Sequence, residues 1–134
     1  MHATTPVIAR IIISGLDSLY YYILYNNITM KKIKSNYYLY NAINRKNKYS
    51  VQFINQKTRR LNTIHFGQYG ADDYTLNNND NTKRLYRLRH ANDNINDLSF
   101  SGCWAWWLLW NMKTIEESIK DMQERFNINI INHL

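Results

Sequence analysis

From Lys48 onward, apolar and polar positions alternate with a period of two: Tyr49, Val51 and Phe53 on one side, Ser50 and Gln52 on the other. That spacing predicts a half-buried strand. Six polar residues, Asn55 to Arg60, interrupt it, and Leu61-Asn62-Thr63-Ile64-His65-Phe66 then resumes β-branched and aromatic character as far as Gly67. The pattern predicts a β-hairpin whose tip carries Lys57, Arg59 and Arg60. A two-stranded hairpin is marginal in water, so other elements must cover its apolar face. The glycine-punctuated polar run that follows, with Gly70 and Asn77 to Asn79, reads as a turn. Beyond it, Asp80 or Asn81 can cap a helix running to about His90, with Leu85 and Leu88 inward and Lys83, Arg84 and Arg87 outward.

The densest apolar stretch is Gly102-Cys103-Trp104-Ala105-Trp106-Trp107-Leu108-Leu109-Trp110. On an α-helix Trp104, Trp107 and Leu108 share one face and Trp106 and Trp110 another. A core helix over the hairpin is therefore expected, with Trp106 the tryptophan left exposed. Thr114-Ile115-Glu116-Glu117 fits a capping box, and Ile115, Ile119, Met122 and Phe126 repeat at helical spacing. Ile128 and Ile130 alternate with Asn127 and Asn129, which suggests a short closing strand. The expected fold class is α+β: a β-hairpin packed against two or three short helices in a single small domain, residues 48–134. A basic arm, 30–47, and an apolar leader, 1–29, precede it.

Charge changes this picture because it is segregated. The chain has 134 residues and a net charge of +7, yet residues 30–71 carry nine bases and no acid: Lys31, Lys32, Lys34, Arg45, Lys46, Lys48, Lys57, Arg59 and Arg60. A patch of that kind attracts polyanions. Residues 6–30 are rich in Ile, Leu and Tyr but broken by Arg10, Gly15 and Asp17, so neither a secretory signal nor a membrane span reads cleanly there. Membrane attachment through 1–29 is not expected, and neither is secretion. The abrupt change at Met30-Lys31-Lys32 also makes Met30 a second candidate start. A single cysteine, Cys103, rules out an internal disulfide and a thiolate-rich zinc module.

Catalytic chemistry is sparse. There is no phosphate-binding glycine loop of standard spacing and no His-Glu-x-x-His, and His2, His65, His90 and His133 are scattered. The one constellation that would support metal-dependent phosphodiester cleavage is Asp72 and Asp73 with His90, Asn92, Asp93 and Asn94. Asp and Asn in loops, however, ordinarily serve turn geometry. No catalytic residue, metal or cofactor is expected. Non-enzymatic, sequence-nonspecific nucleic-acid binding is the leading expectation. The nine bases of residues 30–71, together with Lys83, Arg84 and Arg87, would neutralise phosphates. Tyr37, Tyr38, Tyr40 and Tyr49, with Trp106, would stack on bases or serve an interface. The alternative is a structural or interaction protein that buries its Trp- and Tyr-rich surface against a partner.

Three blocks carry a resemblance: Ile64-His65-Phe66-Gly67-x-x-Gly70-x-x-Asp73-Tyr74-Thr75, then Arg84-x-Tyr86-x-x-Arg89-His90, then Gly102-x-Trp104-x-x-Trp107-Leu108-Leu109-Trp110-Asn111. With them the chain resembles a family of small basic proteins, a domain of unknown function encoded by large nucleocytoplasmic DNA viruses of protists and algae. The similarity runs from about Lys48 to Ile130. Arg59 stands where relatives tend to have Gly, Cys103 replaces an aromatic, Ala105-Trp106 replaces Ser-Arg, and Met112-Lys113 replaces Lys-Pro. The resemblance implies a viral origin, and with it a place in the virion or the infected cell, in a cytoplasmic factory or the nucleus; genome packaging and contact with other virion proteins are the roles expected of the basic segment and of the Trp- and Tyr-rich surface. The resemblance brings no reaction with it.

Overall fold

The computed structural model describes residues 34–134; the leader, Lys31 and Lys32 lie outside the described residues. Ser35–Leu134 is one compact α+β unit. Its elements are β1 (Asn36–Asn41), β2 (Asn47–Ile54), β3 (Leu61–Gln68), α1 (Tyr74–Asn77), α2 (Asp80–Arg89), α3 (Ser101–Trp104) continuing as a π-helix (Ala105–Leu109), α4 (Ile115–Phe126) and β4 (Asn129–Asn132). The sheet order is β3-β2-β1-β4. β1, β2 and β3 form an antiparallel meander, and β4 lies parallel to β1. Parallel neighbours need a long crossover; here it runs through the rest of the unit.

The anticipated β2/β3 hairpin is present, with Tyr49 opposite Phe66 and Val51 opposite Ile64. Leu39 lies opposite Val51 on the other flank. These residues, with Ile130, pack with Trp104, Trp107, Leu108, Ile119 and Met122 into one core. The two-residue alternation places Tyr38, Tyr40, Ser50, Gln52, Thr63, His65 and Ile131 on the opposite face of the sheet.

Strand β1 corrects the expected boundary, since it lies within the segment read as an arm. Its sequence, Asn36-Tyr37-Tyr38-Leu39-Tyr40-Asn41, is aromatic on both faces and shows no apolar/polar alternation. Only its pairing with β2 and β4 makes it a strand.

The tryptophan block also departs from the α-helical projection. In the π-helix each turn takes one more residue, as the i→i+5 bond requires, and Trp106, Trp107, Leu108 and Leu109 are all buried. Trp106 is 9% exposed, which overturns its assignment as the surface tryptophan. The indole N–H groups of Trp104 and Trp107 donate to the carbonyls of Leu98 (2.8 Å) and Ile95 (2.7 Å), fastening the loop before α3 to the core. At the end of β3, Gly67 has φ 75°, and a Cβ there would stand 2.8 Å from Leu109 Cδ1. Glycine is thus required by both conformation and space.

Helix α2 is rotated relative to expectation. Asn79 caps it, accepting from the N–H of Asn81 and Thr82. Tyr86 is the buried residue, while Leu85 and Leu88 are exposed. The Tyr86 ring stacks on Trp110 at 4.5 Å, so an aromatic pair outcompetes the two leucines for the interior. In α4, Thr114 accepts from Glu117 N–H at 3.1 Å as the capping box predicts. Asp121 and Arg125 pair one turn apart at 3.3 Å.

Two interior groups make the fold sensitive to base. Burial pushes the Tyr86 phenol up from 10.0 to about 12, with the Asp93 charge adding to it. Burial, aided by Asp97, pushes the Cys103 thiol from 9.0 to about 12. Both groups ionise more easily in the unfolded chain. Their contribution to stability is therefore full below the unfolded values and is lost as pH rises from about 9 towards 12. Urea midpoints should fall as pH rises above about 9, and Cys103→Ala should shift the onset of that fall upward. A midpoint independent of pH up to about 11 would contradict this.

Candidate nucleic-acid interface

The face of the sheet turned away from the core carries an aromatic row. Tyr38 pairs with Gln52 across β1/β2 and with Ile131 across β1/β4. Tyr40 pairs with Ser50, which in turn pairs with His65 on the edge strand β3. The His133 ring stacks on Tyr40 at 4.8 Å with planes 5° apart, and lies 6.3 Å from Tyr38. Tyr38 and Tyr40 are half-buried and His65 and His133 exposed.

Two basic turns bracket the row, one at each end of the strands. In the β2/β3 turn Asn55 Oδ1 accepts from the N–H of Lys57 (2.8 Å) and Thr58 (3.1 Å), and Asn55 and Arg60 close the loop at 2.8 Å. This is the asparagine turn chemistry expected of such a loop. It holds the backbone and leaves Lys57, Arg59 and Arg60 exposed. Arg59 sits at φ 61°, in the left-handed region that glycine adopts freely. Glycine would be favoured at this position for a conformational reason. Arg59→Gly should raise unfolding stability by about 1 kcal/mol in urea titrations; an unchanged or lower midpoint would contradict it.

At the opposite end, Asn44 Oδ1 accepts from Lys46 N–H and Asn47 N–H and fixes the β1/β2 turn. Arg45 and Lys46 are exposed there, with Ile43 at the tip 99% exposed. Tyr69 N–H donates to the Lys46 carbonyl at 3.0 Å, tying this turn to the end of β3. Lys34 is exposed just ahead of the compact unit.

Several residues assigned to the interface by sequence are engaged elsewhere. Lys48 Nζ meets Asp73 Oδ2 at 2.5 Å, with side-chain exposures of 11% and 2%. Lys48 is therefore a buried structural cation and not a phosphate ligand. Lys83 donates to the Asn111 carbonyl at 2.5 Å, and Arg87 Nε to the Trp110 carbonyl at 3.1 Å, where both satisfy carbonyls just beyond the π-helix. Arg87 also lies 4.7 Å over the Trp106 ring. Burial lowers the affinity of both Lys83 and Arg87 for their protons, and the charge of Arg87 adds to the effect on Lys83. Tyr37 is turned into the core, 4.9 Å from Phe53 and 5.4 Å from Trp104, and Tyr49 packs on Phe66 at 5.7 Å. Arg84 remains exposed on α2, bonded to Asn81 Oδ1.

Sequence reasoning passed over His65, His133, Arg89 and Phe100. For the two histidines the signal was available, because the alternation that puts Phe66 and Ile130 inward puts His65 and His133 outward.

Between the end of β2/β3 and the helices lies a cleft of about 650 Å³ lined by residues that include His65, Asp72, Arg89, His90, Asp93 and Phe100. Four members of the metal constellation considered above, Asp72, His90, Asp93 and Asn94, do meet in this cleft, whereas Asp73 is turned to Lys48. Asp72 accepts from Asp73 N–H and Asn77 Nδ2. His90 Nδ1 lies 2.6 Å from Asp93 Oδ2. Among the described residues, no three His, Cys, Asp or Glu side chains gather closely enough to hold a metal ion.

Residues 38–90 match the model of a family of unknown function, DUF5754. The match spans the meander, both basic turns and α2, and stops before the tryptophan block, so it supports an uncharacterised domain in that part of the chain. No curated protein and no solved structure matches the chain. Among the described residues, no helix is long and apolar enough to cross a membrane.

Proposed function

We propose that this is a non-enzymatic protein that binds single-stranded nucleic acid without sequence specificity across the outer face of its sheet. One observation carries the reading: an aromatic row of Tyr38, Tyr40 and His133 lies between two pre-formed turns that present Arg45 and Lys46 at one end and Lys57, Arg59 and Arg60 at the other. Aromatic side chains accept any base by stacking, and flanking cations track the backbone. Phosphate contacts position the strand without reading it. A half-buried aromatic row suits unpaired bases, whereas a duplex keeps its base faces stacked inside.

The resemblance to proteins of large DNA viruses supports placing this activity in genome handling or packaging in the virion or the infected cell. The alternative of a tryptophan-mediated contact with another virion protein is less favoured, because Trp104, Trp106 and Trp107 are interior.

Fluorescence anisotropy of the full chain with a single strand of about 20 nucleotides and a duplex of equal length, over a salt series, tests the proposal. Single-strand binding should be the tighter. If four or five of the turn bases contact phosphate, log K should fall against log salt with a slope of about −3. Preference for duplex, or affinity that ignores salt, would reject it.

A further inference from the structure

We infer that the cleft beside β3 is a subsite for a single nucleotide, receiving the phosphate, sugar and base of one residue where a strand leaves the sheet. This rests on the single-strand reading for the direction of approach. His65 is the joining residue. It belongs to the cross-strand row Tyr40–Ser50–His65 and also lines the cleft, so a chain crossing the sheet from β1 to the edge strand arrives at the cleft mouth.

The walls offer what each part of a nucleotide needs. Arg89 is exposed at the cleft, and a guanidinium binds phosphate through paired N–H donors. The carboxylates nearby are committed to other partners: Asp72 accepts from Asp73 N–H and the Asn77 amide, and Asp93 holds His90. A carboxylate only accepts, so the bond to Asp93 assigns a proton of His90 to Nδ1, and in the neutral imidazole Nε2 is left to accept from a sugar hydroxyl. The His90 ring is itself set by stacking on Tyr86 at 4.1 Å, with Trp110 beyond. Phe100 is 50% exposed at the same cleft, an apolar ring on which a base can lie. The cleft volume, about 650 Å³, is in the range of small-molecule sites, roughly 300–1,000 Å³.

The test is titration of the full chain with adenosine 5′-monophosphate, and in parallel with adenosine and with inorganic phosphate, following the ring resonances of His65, His90 and Phe100 by NMR. The nucleotide should move all three with a dissociation constant on the order of 0.5 mM, about tenfold or more tighter than either fragment. Arg89→Ala should weaken the nucleotide by about fivefold or more, and Phe100→Ala should do so without changing phosphate binding. Lys120→Ala, at an exposed position of α4 that does not line the cleft, should leave nucleotide binding unchanged. No shift up to about 10 mM, equal binding of phosphate alone, or indifference to Arg89→Ala would each overturn the subsite. Should the nucleotide bind as stated while a 20-mer fails to bind, the sheet reading falls and the cleft stands as a free-nucleotide site. A 20-mer bound through Tyr38 and Tyr40 with no nucleotide response leaves the sheet reading intact and removes the subsite.

Discussion

Replacing Asp73 by Ala is expected to cost about 3–5 kcal/mol of unfolding free energy and to lower Tm by more than about 12 °C. Asp73 is 2% exposed and is the acid partner of Lys48, whose side chain is itself 11% exposed. Removing the carboxylate leaves an ammonium buried without compensation, the circumstance in which a broken buried pair is most costly. The same carboxylate caps α1 by accepting from the backbone N–H and the hydroxyl of Thr75, so truncation also frees the turn that joins β3 to α1. Asp73→Asn keeps an acceptor for the cap and should lose less than Asp73→Ala. Combining Lys48→Met with Asp73→Asn removes both charges. That double variant should lose less than the sum of the single losses, with a coupling of about 1–3 kcal/mol. Urea unfolding of the four variants measures this. A loss below about 1 kcal/mol for Asp73→Ala would show that the pair is not the fastening inferred here. Lys48→Met should also leave the salt dependence of nucleic-acid binding unaltered, because its charge does not reach a phosphate.

The second large effect is on binding. Tyr38→Ala and Tyr40→Ala should each weaken a single-stranded 20-mer by about 5- to 150-fold, the value of one base stacked on an aromatic ring, while the slope of log K against log salt stays unchanged. Replacing Lys57 and Arg60 by Ser should do the reverse, reducing the slope by about 0.7 for each phosphate no longer neutralised. Tyr37→Phe is the control: its ring faces Phe53 and Trp104 in the core, so affinity should be unaffected. Equal losses from Tyr37→Phe and Tyr38→Ala would mean that the effects are those of general destabilisation. Tyrosine variants that change the slope would mean that the row does not act by stacking.

Sequence by itself determined the elements whose information is local. The β2/β3 hairpin follows from two-residue alternation, the α4 cap from Thr114 and Glu117, and the α2 start from a side chain able to accept from the helix N-terminus, although the cap is Asn79 and not Asp80 or Asn81. The segregation of positive charge and the basic hairpin tip were legible for the same reason, since composition and turn chemistry are properties of short stretches. Only the tertiary structure decided the rest. β1 became a strand because β2 and β4 supply its partners, against a sequence aromatic on both faces. Trp106 turned inward because the π-helix changes the angular spacing from which an α-helical projection is drawn. Lys48, Lys83 and Arg87 are not phosphate ligands because Asp73 and the carbonyls beyond the π-helix, each at least 23 residues away in the chain, accept their hydrogen bonds. A charge is visible in a sequence, but whether it faces solvent or a partner depends on which distant segments the fold brings alongside it.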